Sequence, residues 1–242
     1  MGLNQLNFEG KNKAEVAIEF LKLCEPPNGF YLAFSGGKDS VVVYDLALKA
    51  GVKFDAHYCV SPIDPPQIYK FIKKHYPDVA WDYHARGFWK LVIKKGLPLR
   101  TARWCCQIIK EAGGKGRVVM LGNRREEGAI RKHQKEYEAC GKNYKILVRP
   151  ILNWSKEEVW EYIRLNQLPY CELYDKGFKR LGCVLCPFSR EIEREKRYFP
   201  KIVLAWQRAC DRIVANRLIS GKEYKHQFQT GKELFDWWVS RG

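Results

Sequence analysis

The sequence predicts an α/β protein built on a doubly wound parallel sheet, followed by a cysteine-bearing loop and a helical C-terminal extension. Three observations carry that expectation. Through residue 170, short apolar runs of strand length alternate with amphipathic stretches of helix length. The first of those runs passes through a polar, glycine-bearing turn straight into a helix. Beyond residue 171 the strand-like runs give way to a loop with two spaced cysteines and then to helical periodicity. At 242 residues the chain is long enough to bury a substantial core. One main domain is expected, residues 1–170, with residues 171–242 packed on it.

Each element has its own local reason. From residue 12 or 13 to Cys24, Ala14, Ala17, Phe20, Leu21 and Cys24 recur at helical spacing, and Pro26-Pro-Asn-Gly29 ends that helix. Tyr31, Leu32 and Phe34 read as a buried strand, and the helix after the turn stops at Gly51. Val52, Phe54, Ala56, Tyr58 and Val60 alternate as a second strand, which breaks at Ser61-Pro-Ile-Asp-Pro-Pro66 before a helix over 67–75. Trp81 and Tyr83 mark a third strand, 88–95 a short helix, 117–122 a fourth strand and 144–148 a fifth. Ser155 with Glu158 forms a capping box that opens a helix through Leu165. Residues 190–197 and 198–218 read as two helices, the second carrying Ile202, Trp206, Ala209 and Ile213 on one face, and Trp237 and Trp238 read as packing residues.

In such a sheet, ligands bind at the carboxyl ends of the strands. The first, second and fourth strands end in Ser35-Gly-Gly-Lys-Asp-Ser40, Ser61-Pro-Ile-Asp64 and Gly122-Asn-Arg-Arg125, so all three are expected at one crevice. A turn at a helix N-terminus presents backbone N–H groups and the positive end of the helix dipole, and Gly36 and Gly37 let an anion approach closely. Lys38 in the first helical turn is electrostatically misplaced unless something negative sits there. Arg124, Arg125 and Arg131 after the fourth strand have the side chain suited to bidentate phosphate or sulfate recognition. Asp64 reads as a turn or N-cap residue, and Gly113-Gly-Lys-Gly116, which precedes a strand, as a turn.

Lys and Arg outnumber Asp and Glu by 43 to 27, a net charge of +16, which favours polyanionic partners and raises tRNA or DNA as a substrate. No apolar run approaches the ~18 residues of a membrane span. The N-terminus lacks a basic start and an apolar core, so a soluble cytoplasmic protein is expected. Nine cysteines without a secretory signal argue for metal or redox chemistry rather than a disulfide framework. Cys183-x-x-Cys186 can hold two ligands on one metal site, and Cys105-Cys106 can supply two more. Zinc remains open as the metal, but adjacent ligands suit a cuboidal four-iron cluster better, because each thiolate then has its own iron.

Ser35-Gly-Gly-Lys-Asp-Ser40 resembles the pyrophosphate-binding loop of the adenine-nucleotide α-hydrolase (PP-loop ATP pyrophosphatase) superfamily. Arg103-Trp-Cys-Cys106, Gly122-x-Arg-Arg125 with Arg131, Pro150-Ile-Leu-Asn-Trp-Ser155 and Gly182-Cys-x-x-Cys-Pro187 stand in the order and spacing of the phosphoadenylyl sulfate (PAPS) and adenylyl sulfate reductase family. The resemblance implies a Rossmann-like sheet, a homo-oligomer and a [4Fe–4S] cluster on Cys105, Cys106, Cys183 and Cys186. It also implies phosphate or sulfate contacts at Ser35, Gly36, Gly37, Lys38, Arg124, Arg125 and Arg131; Asp39, Ser40 and Gly122 complete the expected nucleotide site. Three departures stand against reductase activity: Gly128 where the family carries serine, Ser61-Pro-Ile-Asp64 after the second strand, and no C-terminal Glu-Cys-Gly segment. The expected activity is cleavage of Mg²⁺-bound ATP to AMP and pyrophosphate in support of sulfur transfer, with Lys38, Arg124 and Arg125 as the catalytic cations. Sulfonucleotide reduction and a non-catalytic nucleotide- or nucleic-acid-binding role are the alternatives.

Overall fold

The computed structural model describes residues 2–6, 9–85, 87–220 and 228–240. Its strands are β1 (Phe30–Ala33), β2 (Phe54–Cys59), β3 (Ala80–Asp82), β4 (Val118–Met120), β5 (Tyr137–Cys140) and β6 (Lys145–Val148). Among the described residues they form one sheet in the order β3-β2-β1-β4-β6-β5. β1 lies near the centre because Phe30 and Leu32 are fully buried, and it pairs in parallel with β2 and β4. β2 pairs in parallel with β3, and β4 with β6.

β5 departs from the expected all-parallel sheet: it runs antiparallel to β6, pairing Tyr137 with Val148 and Cys140 with Lys145. Its residues are exposed or half-buried in alternation, as befits an edge strand with water on its outer side, so no apolar run announces it. A tight turn joins it to β6 in place of a crossover helix, with Asn143 and Tyr144 at φ 65° and 51°.

The helices follow in chain order: α1 (Lys13–Leu23), α2 (Lys38–Ala50), α3 (Pro66–His75), α4 (Phe88–Lys95), the short α5 (Ala129–Lys132), α6 (Lys156–Leu165), α7 (Ile192–Tyr198), α8 (Pro200–Ser220) and α9 (Gly231–Ser240). Two compact units result. The first comprises Met1–Cys59, Pro66–Asp82 and Ala112–Leu181; the second comprises Val60–Pro65, Tyr83–Glu111 and Gly182–Gly242. The second unit therefore draws on three separate stretches of chain, where the sequence reading draws one boundary at residue 170. Among the described residues no helix is long and apolar enough to cross a membrane.

In the first unit, α2 buries Val41, Val42, Val43, Leu46 and Ala47. The capping box at Ser155 forms as the sequence predicts: the Ser155 hydroxyl accepts from the Glu158 N–H at 3.1 Å, and the Glu158 carboxylate accepts from the Ser155 N–H at 2.7 Å. Glu158 also accepts from Lys13 Nζ at 2.7 Å, which ties α1 to the start of α6. One set of sheet positions carries polar side chains in place of an apolar layer. His57 lies between Asp55 (2.5 Å) and Asp82 (3.0 Å), Arg117 forks onto Asp55, and the Tyr31 ring stacks on His57 at 4.3 Å. The Arg117 guanidinium holds the Asp55 carboxyl below the usual carboxylate range, with help from His57.

The second unit is organised around Trp206 on α8, which is fully buried. Phe88, Trp89 and Trp238 pack on it with ring centroids 5.5, 5.1 and 4.5 Å away. The indole N–H of Trp238 donates to the Pro98 carbonyl at 2.7 Å and that of Trp206 to the Val184 carbonyl at 3.4 Å, so both buried donors are satisfied. The packing roles expected of Trp206 and Trp238 hold.

Candidate nucleotide site and cysteine cavity

The first unit builds an anion site where β1 passes into α2. Gly36 adopts φ +71°, and a Cβ there would lie 3.0 Å from Ile68 and 3.1 Å from Ile72 of α3. Both conformation and space therefore demand glycine. Gly37 is the N-cap of α2 and offers no side chain to the helix end. The serines at the two ends of the motif lock the turn instead. The Gly37 N–H donates to Ser35 Oγ (3.3 Å), Ser35 Oγ donates to Ser40 Oγ (3.2 Å), and Ser40 Oγ donates back to the Gly37 carbonyl (2.8 Å). That closed ring holds the turn open at the positive end of the helix. Gly36→Ala should cost about 1–3 kcal/mol from backbone strain alone, with further loss from the contacts on Ile68 and Ile72. A lowered denaturation midpoint together with lost nucleotide affinity is the result to look for.

Lys38 and Arg124 are buried, at 5% and 3% exposure, and both bind Asp39: Lys38 Nζ at 2.7 Å and Arg124 Nε at 2.6 Å. The other arm of Arg124 reaches Glu126. Burial lowers the pKa of Lys38 against the pull of Asp39, and Lys156 adds positive charge from the start of α6. For Arg124, burial opposes the charge but Asp39 and Glu126 outweigh it, so the guanidinium stays firmly charged. Lys38 and Arg124 thus stand at a helix N-terminus, where the helix dipole also favours an anionic ligand. The end of β4 meets α2 directly, since a Cβ on Gly122 would lie 2.9 Å from the Asp39 carbonyl carbon.

The structure thus gathers Ser35, Gly36, Gly37, Lys38, Asp39, Ser40, Gly122 and Arg124. Arg125 and Arg131 bond within their own segment, Arg125 to the Gln134 carbonyl at 3.1 Å and Arg131 to Glu127. Ser61-Pro-Ile-Asp64 belongs to the second unit. Asp64 closes a turn onto Ser61, as the sequence suggests, but its buried carboxylate pairs with Lys110 at 3.1 Å, a partner that sequence spacing did not reveal. Sequence reasoning also missed Tyr174. Its hydroxyl accepts the Lys38 backbone N–H at 3.0 Å, and its only signal was an aromatic residue ahead of the Gly177 turn.

In the second unit, Cys105, Cys106, Cys183 and Cys186 line one cavity, with about 380 Å³ of empty space including its open mouth. Ile63, Phe88, Ile109, Leu185 and Trp206 make its walls apolar. Cys106 begins a π-helical turn through Lys110, a geometry that recurs at functional sites. The Cys183–Cys186 turn places Leu185 at φ 57° and is pinned by Glu195, whose carboxylate accepts from the Leu185 N–H at 2.6 Å and from Ser189 Oγ at 2.6 Å. The neighbouring Cys105 thiol and Arg103 pull the Cys106 pKa down, whereas burial pushes Cys183 up. Among the described residues no group of three or more His, Cys, Asp or Glu is gathered tightly enough for a single metal ion. Four thiols spread around an apolar cavity are a donor set that fits an iron–sulfur cluster, which takes one thiolate per iron.

A mostly parallel sheet whose central strand runs through Ser-Gly-Gly-Lys-Asp-Ser onto a helix N-terminus defines a PP-loop α/β protein of the Rossmann-like type. The chain belongs to the phosphoadenosine phosphosulfate reductase domain family, whose model matches residues 29–189. It is 30% identical over 227 residues to an uncharacterised protein of Methanocaldococcus jannaschii, covering 87% of this chain and 44% of that one. It is also 30% identical over 186 residues to a Caenorhabditis elegans protein named "Probable FAD synthase", covering 74% of this chain and 34% of that one. The chain spans about half or less of the length of these curated relatives. Other relatives are named as adenosine 5'-phosphosulfate reductases. The fold is shared with a crystal structure of PAPS reductase from Candida auris in its phosphate complex, with TM-score 0.54 and 20% identity over 74% of this chain and 96% of that one.

Proposed function

We propose that this chain binds Mg²⁺-ATP at the Ser35–Ser40 loop and cleaves it between the α- and β-phosphates to activate an acceptor for sulfur transfer. The observation that carries this reading is the convergence of Lys38, Asp39 and Arg124 on the glycine turn at the α2 N-terminus. An acceptor oxygen attacks the α-phosphorus, the bond to the bridging oxygen breaks, and pyrophosphate leaves with both bonding electrons. A sulfur nucleophile then displaces AMP from the adenylylated acceptor. Lys38 and the Gly36–Gly37 backbone hold the β- and γ-phosphates, and Arg124 stabilises charge developing at the α-phosphate. Asp39 fixes the direction of both cations. Arg125 and Arg131, bonded to the Gln134 carbonyl and to Glu127, would meet the phosphates only by leaving those partners.

Relatives named as FAD synthases support an ATP-using site, since that name joins an adenylyl group to a second substrate. In the second unit, Cys105, Cys106, Cys183 and Cys186 would hold a [4Fe–4S] cluster, which supplies a site for binding sulfur species. The net charge of +16 favours a nucleic-acid acceptor such as tRNA or DNA.

Sulfonucleotide reduction is the second reading, favoured by the relatives named as adenosine 5'-phosphosulfate reductases. Separate incubations of anaerobically purified protein with ATP, PAPS and adenylyl sulfate distinguish the two. Pyrophosphate from ATP supports the first. Sulfite released from PAPS or adenylyl sulfate with a thiol reductant, alongside no ATP binding, overturns it in favour of the second.

A further inference from the structure

From the contact between Tyr174 and the first turn of α2, we infer that the Tyr174 hydroxyl is a phosphate-positioning group, relaying the helix N-terminus to the ligand through its own O–H. This inference rests on the nucleotide reading above. The Lys38 backbone N–H, one of the donors that an anion at this helix end would otherwise receive, is given to Tyr174 Oη at 3.0 Å. A Cβ on Gly37 would lie 3.4 Å from that same oxygen and 3.4 Å from Ser35 Oγ, so the phenol stands against the glycine turn itself.

A phenol oxygen that accepts from an N–H still has one proton to donate. The Asp39 carboxylate acts on the phenol, but its two oxygens already hold Lys38 and Arg124, so an oxygen of an anion in the turn would compete well for that proton. Accepting from a helix N–H polarises the hydroxyl and strengthens it as a donor. Burial raises the Tyr174 pKa, so the proton stays in place at working pH.

The ring is held for the purpose. Trp160 of α6 packs edge-on at 5.0 Å and Tyr170 at 6.5 Å. The backbone on both sides of the residue is fixed, by Tyr174 N–H to the Cys171 carbonyl at 3.1 Å and Gly177 N–H to the Tyr174 carbonyl at 2.9 Å. These contacts place the hydroxyl without giving it to another side chain. The opposite role, a plug that an incoming phosphate must expel, predicts the opposite sign for its removal.

The test is calorimetric titration of wild type and Tyr174→Phe with Mg²⁺-ATP, pyrophosphate and adenosine, with thermal midpoints measured alongside. Phenylalanine keeps the ring packing and removes the hydroxyl alone. Positioning predicts about tenfold or greater weakening for ATP and pyrophosphate, the size of one charge-assisted hydrogen bond, with adenosine unchanged. Unchanged or tighter ATP binding by the variant overturns the inference, as does equal weakening for adenosine, which would mark a packing effect. Failure of wild type to bind ATP or pyrophosphate overturns the nucleotide reading and this inference with it, a result that the variant comparison alone cannot produce. Should Tyr174→Phe fail to fold, the ultraviolet difference spectrum of wild type decides. A tyrosine perturbation on adding pyrophosphate but not adenosine supports the contact, and its absence overturns the inference.

Discussion

Lys38→Ala abolishes nucleotide turnover while the sheet stays folded. Lys38 is buried at the first turn of α2, with its ammonium on Asp39, which Arg124 also holds. Removing the lysine leaves the Asp39 carboxylate its bond to Arg124, so no charge is stranded and the cost in stability is moderate. The cation nearest the glycine turn is gone, however, and with it the charge that holds the departing pyrophosphate. Loss of one preorganised donor at a site of developing charge costs about 10²–10³ in rate, and a full positive charge in a buried site belongs at the upper end. The reading is the rate of AMP formation, with circular dichroism and the thermal midpoint as controls. Arg124→Ala should lose turnover as well, and more stability, because it leaves Glu126 and Asp39 short of a buried partner. A Lys38→Ala protein with a tenth or more of wild-type turnover would remove Lys38 from the mechanism.

Cys183→Ala should abolish binding of the proposed cluster. Anaerobically prepared wild type should be brown, with about four iron and four acid-labile sulfide per chain, as a [4Fe–4S] centre on four cysteines requires. Cys183 sits in the wall of the cavity and is one of its four thiols, so its loss leaves one corner of the donor set open. Iron content, the visible absorption and the thermal midpoint should fall together, because the cluster would cross-link the Cys105–Cys106 turn to the Cys183–Cys186 turn. Cys140→Ala should change none of these, since Cys140 ends β5 in the first unit. A colourless wild type carrying one zinc contradicts the assignment.

The parts of the fold and site that were legible in the sequence are those set by local chemistry. Periodicity revealed α1, α2 and α8, because a helix packed on one face must repeat its apolar residues. The glycine turn was legible because Gly36 and the serines on either side of it do their work within six residues. The four thiols around one cavity were legible because cysteine has few other uses at such spacing. What escaped depends on residues far apart in the chain. Tyr174 meets Lys38 across 136 positions, and Lys110 meets Asp64 across 46. The polar cluster of Tyr31, Asp55, His57, Asp82 and Arg117 escaped because alternation tells the two faces of a strand apart without saying what each face meets. Strand β5 gave no signal, since an edge strand needs only one neighbour and buries little. The direction of Arg125 and Arg131 was likewise beyond spacing, because local partners, Gln134 and Glu127, compete for them.

The central claim is that the Ser35–Ser40 loop presents the α-phosphate of ATP for cleavage. Its most direct test is a long anaerobic incubation of wild type with Mg²⁺ and ATP labelled at the α-phosphate, water standing in for the acceptor, with equilibrium dialysis measuring nucleotide binding on the same preparation. The account predicts bound ATP and slow, equimolar formation of AMP and pyrophosphate that Lys38→Ala abolishes. Formation of ADP and orthophosphate, or no retention of ATP, would contradict it.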